Sequence, residues 1–160
     1  MNTTLLERAS LTLQALEQNT AFVLPTALDR AGSYNYTFQG LNWKPNAKFK
    51  MVQSNVVSHW DESDKYYKTV IDFIGVKEGE KPSYSKTPVR VSCSCAAYYF
   101  YFAKWNVDNG AHARGRMRQY VHVINPKRKV AALNPRHLPG ICKHLVAYAQ
   151  HLSDLDLIEE

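Results

Sequence analysis

Three cysteines and one histidine are the residues of this chain whose types and spacing best suit a chemical role. Cys93 and Cys95 stand two apart, and so do Cys142 and His144. On an extended strand, residues i and i+2 point to the same face, so both sulfurs of Cys93-Ser94-Cys95 reach one ion if the chain bends at Ser94. On a helix the same spacing separates side chains by about 200°. Cys142 and His144 therefore converge only if Cys142 lies in a loop or first turn and His144 just inside the helix. Pro139-Gly140, immediately upstream, suits that geometry. The positive partial charge of a helix N-terminus would also favour Cys142 as the thiolate. Three sulfurs and an imidazole make a closed Cys3His set, the usual composition of a structural zinc site, and predict one Zn2+ per chain. The competing reading is three buried core thiols, since free cysteine is among the most buried residue types. His112, His122, His137 and His151 lie in the same half of the chain and compete with His144 for the fourth position.

A closed site has no open coordination position for water, so it predicts stability and not catalysis. Asp61, Glu62 and Asp64 supply carboxylates, but in a polar, turn-like stretch where solvated loop acids are the ordinary outcome. A Cys142–His144 nucleophile–base dyad is chemically conceivable, yet the other two cysteines complete a ligand pattern instead. No Gly-rich phosphate-binding loop is present. The sequence thus predicts a non-enzymatic protein with no small-molecule substrate.

Several elements must position these residues. Residues 4 to 18 read as a helix: Thr4-x-x-Glu7 has capping-box spacing, and Leu6, Ala9, Leu13 and Leu16 recur at helical intervals, with Leu5 broadening the apolar face. Pro25 and the polar stretch from Asp29 to Tyr36 read as a connector. From about residue 35 to 92 the pattern is that of strands. Tyr34, Tyr36 and Phe38 alternate with polar residues, Phe49 and Met51 alternate with lysines, and residues 66 to 75 are rich in β-branched and aromatic types. Residues 59 to 65 form a polar turn, and residues 77 to 85, with Gly79 and Pro82, a loop. Val89 and Val91 lead into Cys93 on one strand face, and an antiparallel meander is the economical topology. Beyond the aromatic run Tyr98 to Phe102 come a polar loop with Asn109-Gly110 and Gly115, and a short strand around Tyr120 to Ile124. Asn125-Pro126 and Asn134-Pro135 mark turns. Ile141, Leu145, Ala149 and Leu152 then fall at helical spacing.

The chain has 160 residues, of which 45% are hydrophobic, enough for a real core. Met1-Asn2-Thr3-Thr4 has no basic n-region of a secretory signal. The most apolar stretch, Cys95 to Ala103, is about half the length of a spanning helix. An odd cysteine count cannot be used up by disulfides alone, and a reducing compartment favours thiolate ligands. These features predict a protein that is neither secreted nor held in a membrane. The formal net charge is +6. From Lys104 to Lys143 there are nine Lys/Arg (104, 114, 116, 118, 127, 128, 129, 136 and 143) against Asp108 alone, whereas the tail carries Asp154, Asp156, Glu159 and Glu160. Such asymmetry predicts a polyanionic partner or an acidic neighbouring subunit. Arg114, Arg116 and Arg118, with Lys127, Arg128 and Lys129, are the candidate nucleic-acid or partner-binding residues, and the aromatics at 98 to 102 could add stacking groups.

Cys93-x-Cys95 followed by Cys142-x-His144 resembles the SWIM-type zinc finger, C-x-C then C-x-H. The chain is most similar to small SWIM-like proteins encoded by tailed bacteriophages, on Val91-Ser92-Cys93-Ser94-Cys95, the alternation Tyr98-x-Phe100-x-Phe102, and Asn134-Pro135-x-x-x-Pro139-Gly140-x-Cys142-Lys143-His144-Leu145. The likeness covers residues 89 to about 150. The spacer of 46 residues, 96 to 141, exceeds that of the usual SWIM finger and must hold an extra hairpin or loop. The resemblance implies a β-hairpin with a helix closing over the metal. The expected class is therefore α+β: an antiparallel β meander with an N-terminal helix and a C-terminal SWIM-like β-hairpin/helix zinc module. Residues 1–30 are the helix and connector, and 31–160 a single domain with the zinc module at 89–152. The resemblance also implies a zinc-stabilised virion component (head, neck, tail or baseplate) contacting other virion subunits or itself in an oligomeric assembly. The implied location is the virion or host cytoplasm. The alternative is a DNA- or RNA-binding zinc-finger protein.

Overall fold

The computed structural model describes residues 10–33, 36–45, 49–58, 65–77, 79–113 and 133–160. Two helices come first, α1 Leu13–Val23 and α2 Pro25–Ser33. Helix α1 starts later than the sequence pattern predicts. Thr12 is its N-cap, accepting the Ala15 N–H at 3.2 Å. The residues just before it are extended, and the Leu11 carbonyl accepts the Val89 N–H at 2.7 Å, which competes with helix there. Leu13, Leu16 and Thr20 form the buried stripe of α1. The predicted capping box at Thr4 and Glu7 lies outside the described residues. Residues 25–33 of the predicted connector are helical instead: α1 ends at Val23 with Leu24 as its C-cap, and Pro25, whose missing N–H costs nothing in a first turn, opens α2.

Four strands follow: β1 Tyr36–Pro45, β2 Phe49–Ser58, β3 Lys65–Ile74 and β4 Val89–Cys93. They pair in the order β1-β2-β3-β4, antiparallel throughout, as the expected meander. Register slips in β1 between Gln39 and Asn42, where Gly40 adopts φ 68°, the backbone a bulge of this kind needs. The register puts Tyr36, Phe38, Val52, Val56, Thr69, Ile71, Phe73, Val89, Val91 and Cys93 on one face.

After Cys95 the chain turns helical: α3 Ala96–Tyr98, one π-helical turn over Tyr99–Ala103, and α4 Lys104–Asp108. The extra hairpin or loop expected within the spacer of residues 96 to 141 does not begin here, and residues 114–132 of that spacer lie outside the described residues. Ala96 and Ala97 favour helix, and Tyr98, Phe102 and Asn106, four apart, are the fully buried residues. Tyr98 and Phe102 are therefore withdrawn from any stacking surface. The chain then returns beside β4, where Ala111 and Ala113 bracket Val91 through backbone hydrogen bonds of 2.8 and 2.9 Å. The predicted strand at Tyr120 to Ile124 lies outside the described residues.

The last helix, α5 Lys143–Asp154, lays Leu145, Tyr148, Ala149 and Leu152 across the sheet face, with Leu13 and Leu16 of α1 in the same cluster. Each large apolar side chain fully buried there contributes about 1.5–3 kcal/mol. No helix among the described residues is long and apolar enough to cross a membrane.

Candidate metal centre

Cys93 arrives at the centre from a strand, and Cys95 and Cys142 each arrive as the extended residue that caps a helix. Cys93 is the last residue of β4, its partner across the sheet being Thr69. Ser94 then breaks the strand without losing the sheet: its N–H donates to the Lys68 carbonyl at 3.0 Å, and its hydroxyl accepts the Lys68 N–H at 2.9 Å. Cys95 follows in extended conformation as the N-cap of α3, accepting the Tyr98 N–H at its sulfur at 3.3 Å. Cys142, at φ −80° and ψ 172°, is the N-cap of α5, and His144 is the second residue inside that helix. This is the loop-then-helix arrangement that the C-x-H spacing demands, and the bend at Ser94 is the one that C-x-C demands.

The ligand atoms of Cys93, Cys95, Cys142 and His144 all lie within 4.8 Å of one another, and all four residues are buried. His144 presents Nδ1, 3.8 Å from the Cys93 sulfur and 3.9 Å from that of Cys142. A tetrahedral zinc with ordinary bond lengths has S···S edges of about 3.8 Å and S···N edges of about 3.6 Å. The donor set and its spacing fit such an ion with small adjustment. Two aromatic rings fix the imidazole: Tyr67 stacks on it at 4.3 Å, and Tyr36 meets it edge-on at 5.7 Å. Both come from the sheet, so the metal-facing orientation of His144 is set by β1 and β3.

Burial pushes Cys93 and Cys142 well above the usual thiol range, and the neighbouring sulfurs add to the shift at Cys93. Burial opposes the charged form at Cys95 too, but hydrogen bonds from Cys142, Cys93 and His144 outweigh it and hold Cys95 well below the usual range. Burial thus leaves protons on Cys93 and Cys142. A divalent cation would displace those protons and neutralise the charge that burial penalises.

The competing histidines that are described have other occupations. His112 Nδ1 lies 2.8 Å from the Tyr98 hydroxyl, His137 stacks on Trp105 at 3.9 Å, and His151 stacks on Phe38 at 4.3 Å. His122 lies outside the described residues. So do Arg114, Arg116, Arg118, Lys127, Arg128 and Lys129, and the carboxylates of Asp61, Glu62 and Asp64.

Sequence reasoning missed the polar side chains that support the centre. Thr20, Asn106 and Asn134 are completely buried, and all three bind the backbone that leads into Cys142. Position 20 was signalled by its place on the stripe of Leu13 and Leu16. Asn106 would have shown itself only if residues 98 to 106 had been read with helical period. No known protein family, curated protein or solved structure matches the chain.

Proposed function

We propose that this chain is a non-enzymatic structural protein held by one zinc ion at Cys93, Cys95, Cys142 and His144, working through protein–protein contacts in a bacteriophage particle. The observation that carries the zinc reading is the convergence of four buried ligands from the end of β4, the turn after it and the start of α5. Three sulfurs and one nitrogen select zinc over hard cations, and a complete protein ligand set leaves no position for a reacting water. His144 and the three cysteines would hold the ion, and the ion would tie the sheet to the C-terminal helix.

The particle assignment is supported by the resemblance of Val91–Cys95 and Asn134–Leu145 to small phage proteins of SWIM type. A nucleic-acid-binding role is the second reading, favoured by the excess positive charge between Lys104 and Lys143. The burial of Tyr98 and Phe102 weighs against base stacking on that run.

Metal analysis of the purified chain should give one zinc per molecule, and Cys93→Ser or Cys142→Ser should abolish stoichiometric binding. A folded, metal-free protein that takes up no zinc overturns the zinc reading. Mass spectrometry of purified particles should find the chain at fixed copy number. Absence from the particle, with DNA binding that falls steeply with salt and is lost on substituting Arg114, Arg116 and Arg118, would establish the second reading instead.

A further inference from the structure

Residues 139 to 142 are buried, and residues 138 to 142 pair with no strand among the described residues. Leu138 and Gly140 are nonetheless each paired at both the N–H and the carbonyl by one side chain, and Ile141 is paired at its N–H by a third. Asn134 accepts the Leu138 N–H at 3.1 Å and donates to the Leu138 carbonyl at 2.8 Å. Asn106 accepts the Gly140 N–H at 2.8 Å and donates to the Gly140 carbonyl at 2.9 Å. The Thr20 hydroxyl accepts the Ile141 N–H at 2.9 Å, and its single proton is shared between the carbonyls of Leu16 at 2.9 Å and Ile141 at 3.0 Å. A side-chain amide that offers one donor and one acceptor does for a single residue what a neighbouring strand does for many. Without these partners a buried loop would carry unsatisfied backbone groups, each costly in a dry interior.

The same network reaches the other two cysteine segments. The second Nδ2 hydrogen of Asn106 meets the Tyr98 hydroxyl at 3.2 Å, and that hydroxyl donates to the Val91 carbonyl at 2.9 Å. With the phenol's one proton given to Val91, His112 Nδ1, 2.8 Å from the same oxygen, takes the donor role in the tautomer that suits it. Val91 is two residues before Cys93, Tyr98 three after Cys95, and Gly140 two before Cys142. One buried chain of hydrogen bonds therefore touches every cysteine-bearing segment without using a ligand atom.

We infer that Asn106 and Thr20 are positioning residues for the metal centre: they bring Cys142 to Cys93 and Cys95 before any ion binds, so that zinc meets a largely prepared site. The inference rests on the zinc reading and concerns affinity, not the existence of the site. Partners one step beyond the ligands commonly set metal affinity by 10- to 100-fold.

Full-length wild type, Asn106→Asp, Thr20→Val and Thr20→Ser are the proteins to compare. Asn106→Asp keeps the shape but removes both amide donors, and Thr20→Val keeps the shape but removes the hydroxyl, which Thr20→Ser restores. Zinc affinity is read by competition with a chromophoric chelator, the folded state by circular dichroism, and ligand geometry by the visible bands of the cobalt(II) form. Asn106→Asp and Thr20→Val should each weaken zinc by about 10- to 100-fold and perturb the cobalt bands, with Thr20→Ser close to wild type. Folded variants with wild-type affinity and wild-type cobalt bands, differing only in thermal stability, overturn the inference and leave the zinc reading intact. Should Asn106→Asp fail to fold, Thr20→Val against Thr20→Ser decides alone. A wild type that binds no zinc sinks the zinc reading itself, a separate result.

Discussion

At position 140 a Cβ would lie 2.4 Å from Phe102 Cε1, 2.6 Å from its Cδ1 and 2.9 Å from the Thr20 hydroxyl. The residue is glycine because Phe102 packs directly on the backbone there, and that contact fixes the level at which the chain enters Cys142. Gly140→Ala must push back a fully buried ring and the hydroxyl that holds Ile141. It should cost about 1–3 kcal/mol in urea unfolding, with part of the loss recovered by Phe102→Leu. An unchanged midpoint would show that the ring has room to move. The ligands themselves were readable residue by residue, because C-x-C and C-x-H each imply a backbone geometry, and the chain adopts both. The residues behind them were not. Asn106, Asn134 and Thr20 are types found mostly at surfaces, and nothing in their own spacing says that a loop 34 or 121 residues away in sequence needs their amides and hydroxyl.

Strand β3 carries Asp72 in an otherwise apolar stretch, and β4 carries Arg90 between two valines. The register sets them opposite each other, with Arg90 Nη2 3.5 Å from Asp72 Oδ2 and both side chains almost completely buried. Period-two reading places each on the face opposite Ile71 and Val91, where solvent would be the ordinary expectation. Only the pairing of β3 with β4 shows that the two charges meet out of water. Either single change breaks an ion pair held out of water, so Asp72→Ala or Arg90→Met should each cost about 3–5 kcal/mol in chemical denaturation. The double change Asp72→Leu with Arg90→Met should recover most of that, since an apolar pair of similar volume has no desolvation penalty to offset. Equal, additive losses would mean that the two residues act through other partners. Element boundaries were harder to read than this pair suggests. Within the described residues α1 begins at Leu13, because the Leu11 carbonyl is taken by the Val89 N–H and Thr12 caps the helix. The helix after Cys95 was hidden by aromatic alternation, although the residues it buries are four apart.

For the whole molecule, a metal at this site would close the excursion of residues 96 to 141, which carries eight Lys/Arg against Asp108 alone. The core makes the dependence wider. Cys93, Cys95 and Cys142 belong to the same buried cluster as Leu13 and Leu16 of α1, Val52 of β2, Ile71 and Phe73 of β3, and Leu145, Tyr148 and Leu152 of α5. Thr20 of α1 also holds the backbone next to Cys142. A centre placed there cannot loosen without exposing apolar surface that the first helix and the sheet share, and side chains packed in one cluster unfold as one unit. Binding to the folded state alone stabilises by about 4 kcal/mol when free zinc stands a thousandfold above its dissociation constant. Withdrawing zinc with a chelator should therefore lower the midpoint of one transition and not split it in two. Hydrogen exchange can follow this at separate sites: amides of Leu16, Ile71 and Tyr148 should lose protection by similar factors. If the amides of α5 open while those of α1 and β3 keep their protection, the metal is a local fastener and the shared core does not transmit its loss.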